Sequence, residues 1–321
     1  MSEKIQGCKR AAITVEQFIA IVILVISLVV ILLFWTLANP SGQVDKEACH
    51  SSVVLRASST IGKFDDFKDA IPLQCSTEKI CFKSGFFSNG CKDLGTTDIE
   101  NIKIDSTQEI KDAITEKMYD WHSTLGEGKI NFMPGKIKTK NYCIINAIIS
   151  SDNKTKDIVN AQGITYGDIY RNLETKRTPK GTTYFQEMYG STSYESWLAN
   201  NPRLAKISKD KIDFNNQQVM VTMITEKGLY GTYLAGTGAG VAVGVAAIAA
   251  FSIVTGGTAV IGSTAILAIL AASGSTAGIV IYSSKPNPSG DDSFNYAPPQ
   301  IMAWDADSLR ALDCDSFENS G

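Results

Sequence analysis

The sequence predicts an α+β protein with three parts: an N-terminal transmembrane helix, a mixed α/β extracytoplasmic domain and a C-terminal Gly/Ala-rich transmembrane helical hairpin. Two uncharged stretches predict the membrane segments, one over residues 18–38 and one between Lys227 and Lys285. The domain is predicted because residues 39–227 combine a helical apolar pattern with runs of β-branched residues.

The first apolar stretch, residues 18–38, is interrupted only by the polar residues Ser27 and Thr36. As a helix rising about 1.5 Å per residue it matches the thickness of a bilayer core. A secretory signal peptide has a shorter apolar region and a small-x-small cleavage site, which this stretch lacks. We therefore expect the segment to stay in the protein.

Charges around this stretch predict its orientation. The basic residues Lys4, Lys9 and Arg10 precede it, whereas residues 39–42 are uncharged. The positive-inside rule places residues 1–17 in the cytoplasm and the rest outside, so the predicted location is the cell membrane with the main domain on the cell surface.

The stretch KRAAITVEQF resembles the N-terminal signal of archaeal type IV pilin-like proteins, over about thirty residues including the apolar helix that follows. Basic residues stand at Lys9 and Arg10, and cutting between Ala11 and Ala12 places Glu16 fifth in the mature chain. The resemblance implies that Glu16 neutralises the N-terminal amine of a neighbouring subunit. Alanine at the first mature position departs from the glutamine common in that family. The alternative is an ordinary signal anchor.

Seven cysteines divide unevenly around the apolar stretch. Cys8 precedes it and six cysteines follow it, an even number that predicts a disulfide framework in an oxidising compartment. The alternative is six unrelated thiols in a reducing compartment. Their pairing stays open among fifteen possibilities. The six candidates are Cys49, Cys75, Cys81, Cys91, Cys143 and Cys314.

Within residues 39–227 the strongest element is a helix over 106–124, where Ser106 and Glu109 have the spacing of a capping box. Runs of β-branched residues predict strands. The strands are expected at 142–150 and 218–225, and two further short helices at 165–174 and 193–200.

No motif predicts a catalytic or metal site. The sequence has no GxSxG elbow, P-loop, HExxH or dinucleotide fingerprint, and we expect no catalytic residues and no cofactor. Its two histidines, His50 and His122, and the cysteine spacing do not match a zinc module. A formal net charge of −3 gives no basic field for phosphates, so we expect no nucleic-acid partner.

Asn153 begins an N-glycosylation sequon in a polar stretch that reads as a loop. Short sequons also arise by chance. The predicted location outside the cytoplasm makes this one a candidate glycosylation site.

The second apolar region, residues 228–283, predicts two membrane-spanning arms over 229–254 and 258–282. Glycines four apart let helix backbones approach closely in lipid, so membrane lipid is the expected partner, with copies of the chain or other membrane or pilus proteins beside it. These glycines are Gly236, Gly240 and Gly244 on the first arm and Gly274 and Gly278 on the second.

The tail, residues 284–321, reads as linker followed by a short helix over 305–312.

Taken together, the sequence predicts a non-catalytic, membrane-anchored surface protein with a structural, adhesion or pilus-associated role. The retained hairpin argues for a protein that stays at the membrane, because a filament subunit leaves the bilayer with a single helix. The alternative is a membrane-active protein, pore-forming or fusion-like, that uses residues 229–282. A transporter, enzyme or receptor built on three helices ranks last, because intramembrane charges are missing.

Overall fold

The computed structural model describes residues 22–29, 41–59, 71–85, 90–95, 98–133, 141–199, 208–226, 268–270, 279–281, 294–312 and 314–318. The chain divides into two compact units, Met1–Asp45 and Lys46–Gly321. In the first unit a helix, α1, covers residues 22–29, and its apolar side chains are exposed.

The rest of the described chain forms both helices and strands. The helices are α2 (Ser41–Ser58), α3 (Thr107–Thr124), α4 (Asn153–Gln162), α5 (Tyr166–Thr175), α6 (Tyr184–Tyr189), α7 (Tyr194–Ala199) and α8 (Ala306–Ala311), with a 3-10 helix at Lys92–Leu94. The strands are β1 (Glu78–Lys83), β2 (Ile99–Lys103), β3 (Asn141–Ser151), β4 (Gln218–Glu226), β5 (Ala268–Leu270), β6 (Ile279–Ile281), β7 (Phe294–Ala303) and β8 (Cys314–Glu318).

A mixed six-stranded sheet organises the second unit. Its main path runs β2-β1-β3-β4-β7, with β1 parallel to β2 and to β3, and with β4 antiparallel to β3 and to β7. Strand β8 pairs in parallel with the first residues of β3. Therefore β8 and β1 follow one another along the same edge of β3.

The junction between β8 and β1 coincides with a β-bulge in β3. The register of β3 shifts between Ile145 and Ala147, and the Thr77 hydroxyl donates a 2.9 Å hydrogen bond to the Ile145 carbonyl. Tyr142 and Ile149 both lie in the larger apolar cluster although an odd number of positions separates them. The bulge therefore keeps both halves of β3 facing the same core.

The two faces of the sheet carry separate apolar clusters. Helices α3 to α7 cover the larger one, in which α3 contributes Ile110, Ile114, Met118 and Trp121 at helical spacing. The smaller cluster lies on the opposite face, where β3 contributes Cys143 and Ile145, β4 contributes Val219, Val221 and Met223, and Leu312 follows α8. Successive side chains of β3 and β4 thus point alternately into the two apolar clusters.

The prediction of transmembrane helices is wrong for the part of the chain that the structure describes. No helix there is both long and apolar enough to cross a membrane. In the predicted second arm, Ala268–Leu270 and Ile279–Ile281 form the antiparallel pair β5–β6 instead of a helix. The physical reason is that an uncharged apolar run does not by itself distinguish helix from strand, and Ile-Val-Ile is rich in β-branched residues. The rest of both predicted segments, apart from α1, lies outside the described residues.

The tail also differs from the expected linker. Its residues form β7 and β8, which belong to the same sheet as the strands of residues 39–227. Pro298 and Pro299 lie inside β7, where the register with β4 shifts between Val221 and Met223. Strand β7 ends the main path of the sheet, and prolines are tolerated at such edges and bulges because no ladder donor is required there.

The other predicted elements are confirmed with small changes in their ends. The 106–124 helix is α3, with Ser106 as N-cap accepting from the Glu109 N–H at 3.3 Å. The Glu109 carboxylate accepts from the Asp105 N–H, one residue before the cap, at 2.5 Å. The two predicted strands are β3 and β4, and the two short helices are α5 and α7.

Candidate functional site

A pocket of about 640 Å³ opens between the N-terminal half of α5 and helix α7. It is lined by Thr165, Asp168, Arg171, Glu195, Leu198, Ala199, Ser208 and Lys209. Residues 208 and 209 belong to the segment that leads back into the sheet, so three separate parts of the chain meet here.

Arg171 is the central charge of the pocket. Its Nε donates to the Glu195 carboxylate at 3.1 Å, and its guanidinium lies 3.7 Å from a carboxylate oxygen of Asp168. The guanidinium carbon is 5.4 Å from the centre of the Tyr194 ring, within the range of a cation–π contact. Arg171 is therefore held from three sides while 53% of its side chain stays exposed.

A capping box fixes Asp168 at the start of α5. One carboxylate oxygen of Asp168 accepts from the Thr165 N–H at 2.9 Å and from the Thr165 hydroxyl at 2.7 Å. In return the Thr165 hydroxyl accepts from the Asp168 N–H at 3.1 Å. The other carboxylate oxygen faces Arg171. The cap thus orients an acidic group toward the pocket.

Gly167 allows α5 to approach the segment that carries Ser208, and this contact forms one wall of the pocket. Its N–H donates to the Ser208 carbonyl at 2.8 Å, and a Cβ on residue 167 would lie 2.7 Å from that same oxygen. Only a residue without a side chain permits this approach of α5 to the segment that carries Ser208. The neighbouring bridge between Thr165 and Lys211 continues the contact.

An aromatic cluster underlies the pocket. Tyr170 stacks on Tyr194 at 5.7 Å between ring centres and meets Tyr189 edge-on at 5.7 Å, while Phe185 and Trp197 complete the group. Burial raises the pKa of the Tyr170 and Tyr189 hydroxyls well above the ordinary tyrosine value. These phenols stay protonated at physiological pH, so the cluster is a rigid support without a phenolate nucleophile.

The pocket contains two cationic and two anionic side chains, and its wall has two hydroxyl groups. None of the eight lining residues is a histidine or cysteine that would activate either hydroxyl. The carboxylates of Asp168 and Glu195 are both engaged by Arg171. This arrangement can bind a polar group that carries both signs of charge.

The disulfide prediction is confirmed, because all six cysteines after Cys8 are paired. The Cys49–Cys75 bond joins α2 to the segment before β1, and Cys81–Cys91 joins β1 to the residue before the 3-10 helix. The Cys143–Cys314 bond ties β3 to β8 across 171 residues of sequence. Cys8 lies outside the described residues.

The residues of the pilin-like signal and the glycine ridges all lie outside the described residues. Their roles stay predictions. They are Lys9, Arg10, Ala11, Ala12 and Glu16 for the signal, and Gly236, Gly240, Gly244, Gly274 and Gly278 for helix packing.

None of the remaining candidate residues lines the pocket. Asn153 is exposed, but it begins α4 instead of lying in the expected loop. His50 Nδ1 donates to the Thr124 carbonyl at 2.8 Å, and His122 Nδ1 lies 3.2 Å from the Tyr296 hydroxyl. Among the described residues no group of three or more His, Cys, Asp or Glu side chains is placed to hold a metal ion.

Sequence reasoning missed the pocket because Arg171 and Glu195 meet only through the packing of α5 against α7. One local signal pointed to it: Thr165 and Asp168 have capping-box spacing at the start of a helix. That signal predicts a helix end and does not by itself predict a binding site.

Comparisons with protein-family models, with curated proteins and with solved structures find no match to this chain.

Proposed function

We propose that the chain is a non-catalytic surface protein whose disulfide-bonded domain works outside the cytoplasm in a structural or adhesive role. The observation that supports this most is the complete pairing of the six cysteines that follow Cys8. Stable disulfides form in oxidising compartments and are rare in a reducing cytoplasm.

The positions of the three bonds add to the argument. Each bond attaches a peripheral segment to the central sheet or to the chain next to the sheet. Cys49–Cys75 attaches α2, Cys81–Cys91 attaches the 3-10 turn and Cys143–Cys314 attaches the last strand. Bonds placed this way protect the ends of a domain against fraying and proteolysis, which is the requirement of a domain exposed at a cell surface.

The pocket around Arg171 favours adhesion over a purely mechanical role. Its charged groups are exposed, with 53% of the Arg171 and 67% of the Glu195 side chain accessible, and they rest on a rigid aromatic base. A mixed-charge pocket on rigid elements suits recognition of a polar segment of another molecule.

Two measurements on intact cells test the compartment and the bonds. A membrane-impermeant amine reagent should label Lys103, whose side chain is 66% exposed, while lysines of an abundant cytoplasmic protein stay unlabelled. Acid-quenched, unfolded chain treated with a maleimide should react at none of the six later cysteines before reduction and at all six after it.

Alkylation of the six later cysteines without prior reduction would refute the proposed compartment, as would a Lys103 that is labelled only after lysis.

A further inference from the structure

The chain contains one N-x-[S/T] sequon, Asn153-Lys154-Thr155. The other two candidates, at Asn39 and Asn287, have proline in the middle position, which removes them. We propose that Asn153 is an N-glycosylation site and that its glycan must be added before α4 folds against the sheet. Modification in the chain's own cells rests on the location outside the cytoplasm proposed above.

The acceptor side chain is free for modification. Asn153 is the first residue of α4 and is exposed, and its side chain makes no hydrogen bond within the described part of the chain. The N-cap of α4 is Asp152, so the cap does not depend on Asn153. A glycan at this position extends into solvent without disturbing the start of the helix.

The hydroxyl that defines the sequon is buried in the folded domain. Thr155 has no exposed surface, and its hydroxyl donates to the Phe82 carbonyl of β1 at 3.3 Å. Its N–H donates to the Asp152 carboxylate at 2.8 Å. That carboxylate also accepts from the Ser84 N–H at 3.2 Å, so the first turn of α4 is fixed to the end of β1.

This burial sets the order of events. A transferase that selects the sequon must contact both Asn153 and the Thr155 hydroxyl. In the folded domain such contact requires the first turn of α4 to leave β1 and expose Thr155. The unfolded or emerging chain presents both groups without that opening.

Transfer of the glycan to Asn153 requires no oxidant or reductant. The Asn153 side-chain nitrogen loses one proton and forms a bond to the anomeric carbon of an oligosaccharide carried on a lipid phosphate. The bond from that carbon to the phosphate oxygen breaks, the electron pair leaves with the lipid phosphate, and the released proton passes to water.

An acceptor assay tests the proposal with a purified oligosaccharyltransferase and a lipid-linked oligosaccharide. The acceptors are the folded disulfide-bonded chain from a host that does not glycosylate, the same chain after reduction and carboxymethylation, and a peptide of residues 148–160. Intact-mass spectrometry follows the product. We expect the carboxymethylated chain and the peptide to be modified at least about ten-fold faster than the folded chain.

The matched control is Asn153→Gln, which removes the acceptor and keeps the contacts of Thr155. It should give no product in any form and should melt at the temperature of the unsubstituted chain. Equal rates on folded and carboxymethylated chains would overturn the order of events. No product on either the carboxymethylated chain or the peptide would overturn the site.

The assay is independent of where the chain resides. If the peptide is modified but Lys103 is labelled only after lysis, the proposed location fails and the acceptor site stands. If Lys103 is labelled on intact cells and chain isolated from them carries no glycan on Asn153, the proposed site fails and the location stands.

Discussion

Glu226 lies directly opposite Phe294 in the antiparallel ladder between β4 and β7, although residues 227–293 separate them along the chain. The two ends of this interval therefore lie next to each other in the sheet. Strands β5 and β6, which fall within the interval, pair with each other in a separate two-stranded sheet. Among the described residues of this interval, none belongs to the six-stranded sheet.

We predict that replacing residues 227–293 by Asn-Gly leaves the domain folded. A two-residue turn of this type closes an antiparallel pair whose last partners are Glu226 and Phe294. The shortened chain should form the same three disulfides and unfold cooperatively, as followed by circular dichroism and by mapping of non-reduced peptides. Scrambled disulfides or a gradual melt would show that residues 227–293 contribute to the core.

The three disulfides should differ in their contribution to stability. They close loops with sequence separations of 171, 26 and 10 residues for Cys143–Cys314, Cys49–Cys75 and Cys81–Cys91. Loop-closure entropy then gives about 5, about 3.5 and about 2.7 kcal/mol as upper values. Three variants, each with both cysteines of one bond replaced by alanine, are compared by urea unfolding. The Cys143–Cys314 variant should lose the most stability and the Cys81–Cys91 variant the least. A larger loss for the Cys81–Cys91 pair than for Cys143–Cys314 would contradict it.

Local sequence signals predicted the elements that depend on local contacts. Ser106 and Glu109 act within one helical turn, and Ile110, Ile114 and Met118 fall on one face of α3 whatever the rest of the chain does. The β-branched runs of β3 and β4 are equally local.

Features that depend on distant contacts were missed or misread. Pro298 and Pro299 suggested a linker because proline cannot donate to a ladder, and only the bulge opposite β4 accommodates them. Arg171 and Glu195 form the candidate site through tertiary packing that no spacing in the sequence encodes. Ile279–Ile281 belongs to an apolar run that satisfied the length rule for a membrane helix, but these three residues form a strand.

The stability of the domain should fall at acid pH partly through Asp112. Burial tends to raise the pKa of this carboxyl, but hydrogen bonds from Asn172 and Lys176 outweigh it and lower the pKa below the ordinary value of 3.8. The folded state therefore binds the proton less readily than the unfolded state. The stabilisation is present above pH 3.8 and is lost as the pH falls through the lowered pKa.

Asp112→Asn tests this pH dependence by urea unfolding between neutral and acid pH. The free-energy difference from the unsubstituted chain should be largest near neutral pH and should shrink below pH 3.8. Asp157→Asn, an exposed position on α4, is the control. A difference for Asp112→Asn that stays constant with pH would mean that the hydrogen bonds do not discriminate between the two protonation states.

Gly167→Ala should destabilise the domain even though alanine is the better helix former. Helix propensity alone would gain about 1 kcal/mol for alanine within α5. The added Cβ, however, would lie 2.7 Å from the Ser208 carbonyl, a backbone atom that cannot rotate away. Overpacking of this kind costs about 1–3 kcal/mol, so the steric term decides the sign. We expect a net loss and an opening of the contact in which the Gly167 N–H donates to Ser208.

The measurement combines urea unfolding with hydrogen exchange at residue 167, where the amide should exchange faster in the variant if its bond to Ser208 lengthens. Gly181→Ala is the matched control, because a Cβ there meets nothing within 4 Å and only the φ of +84° is strained. Its cost should be about 1 kcal/mol, and the amide of Gly167 should keep its protection. A stabilised Gly167→Ala variant would mean that the segment carrying Ser208 moves away freely, and the pocket wall would then be adaptable instead of fixed.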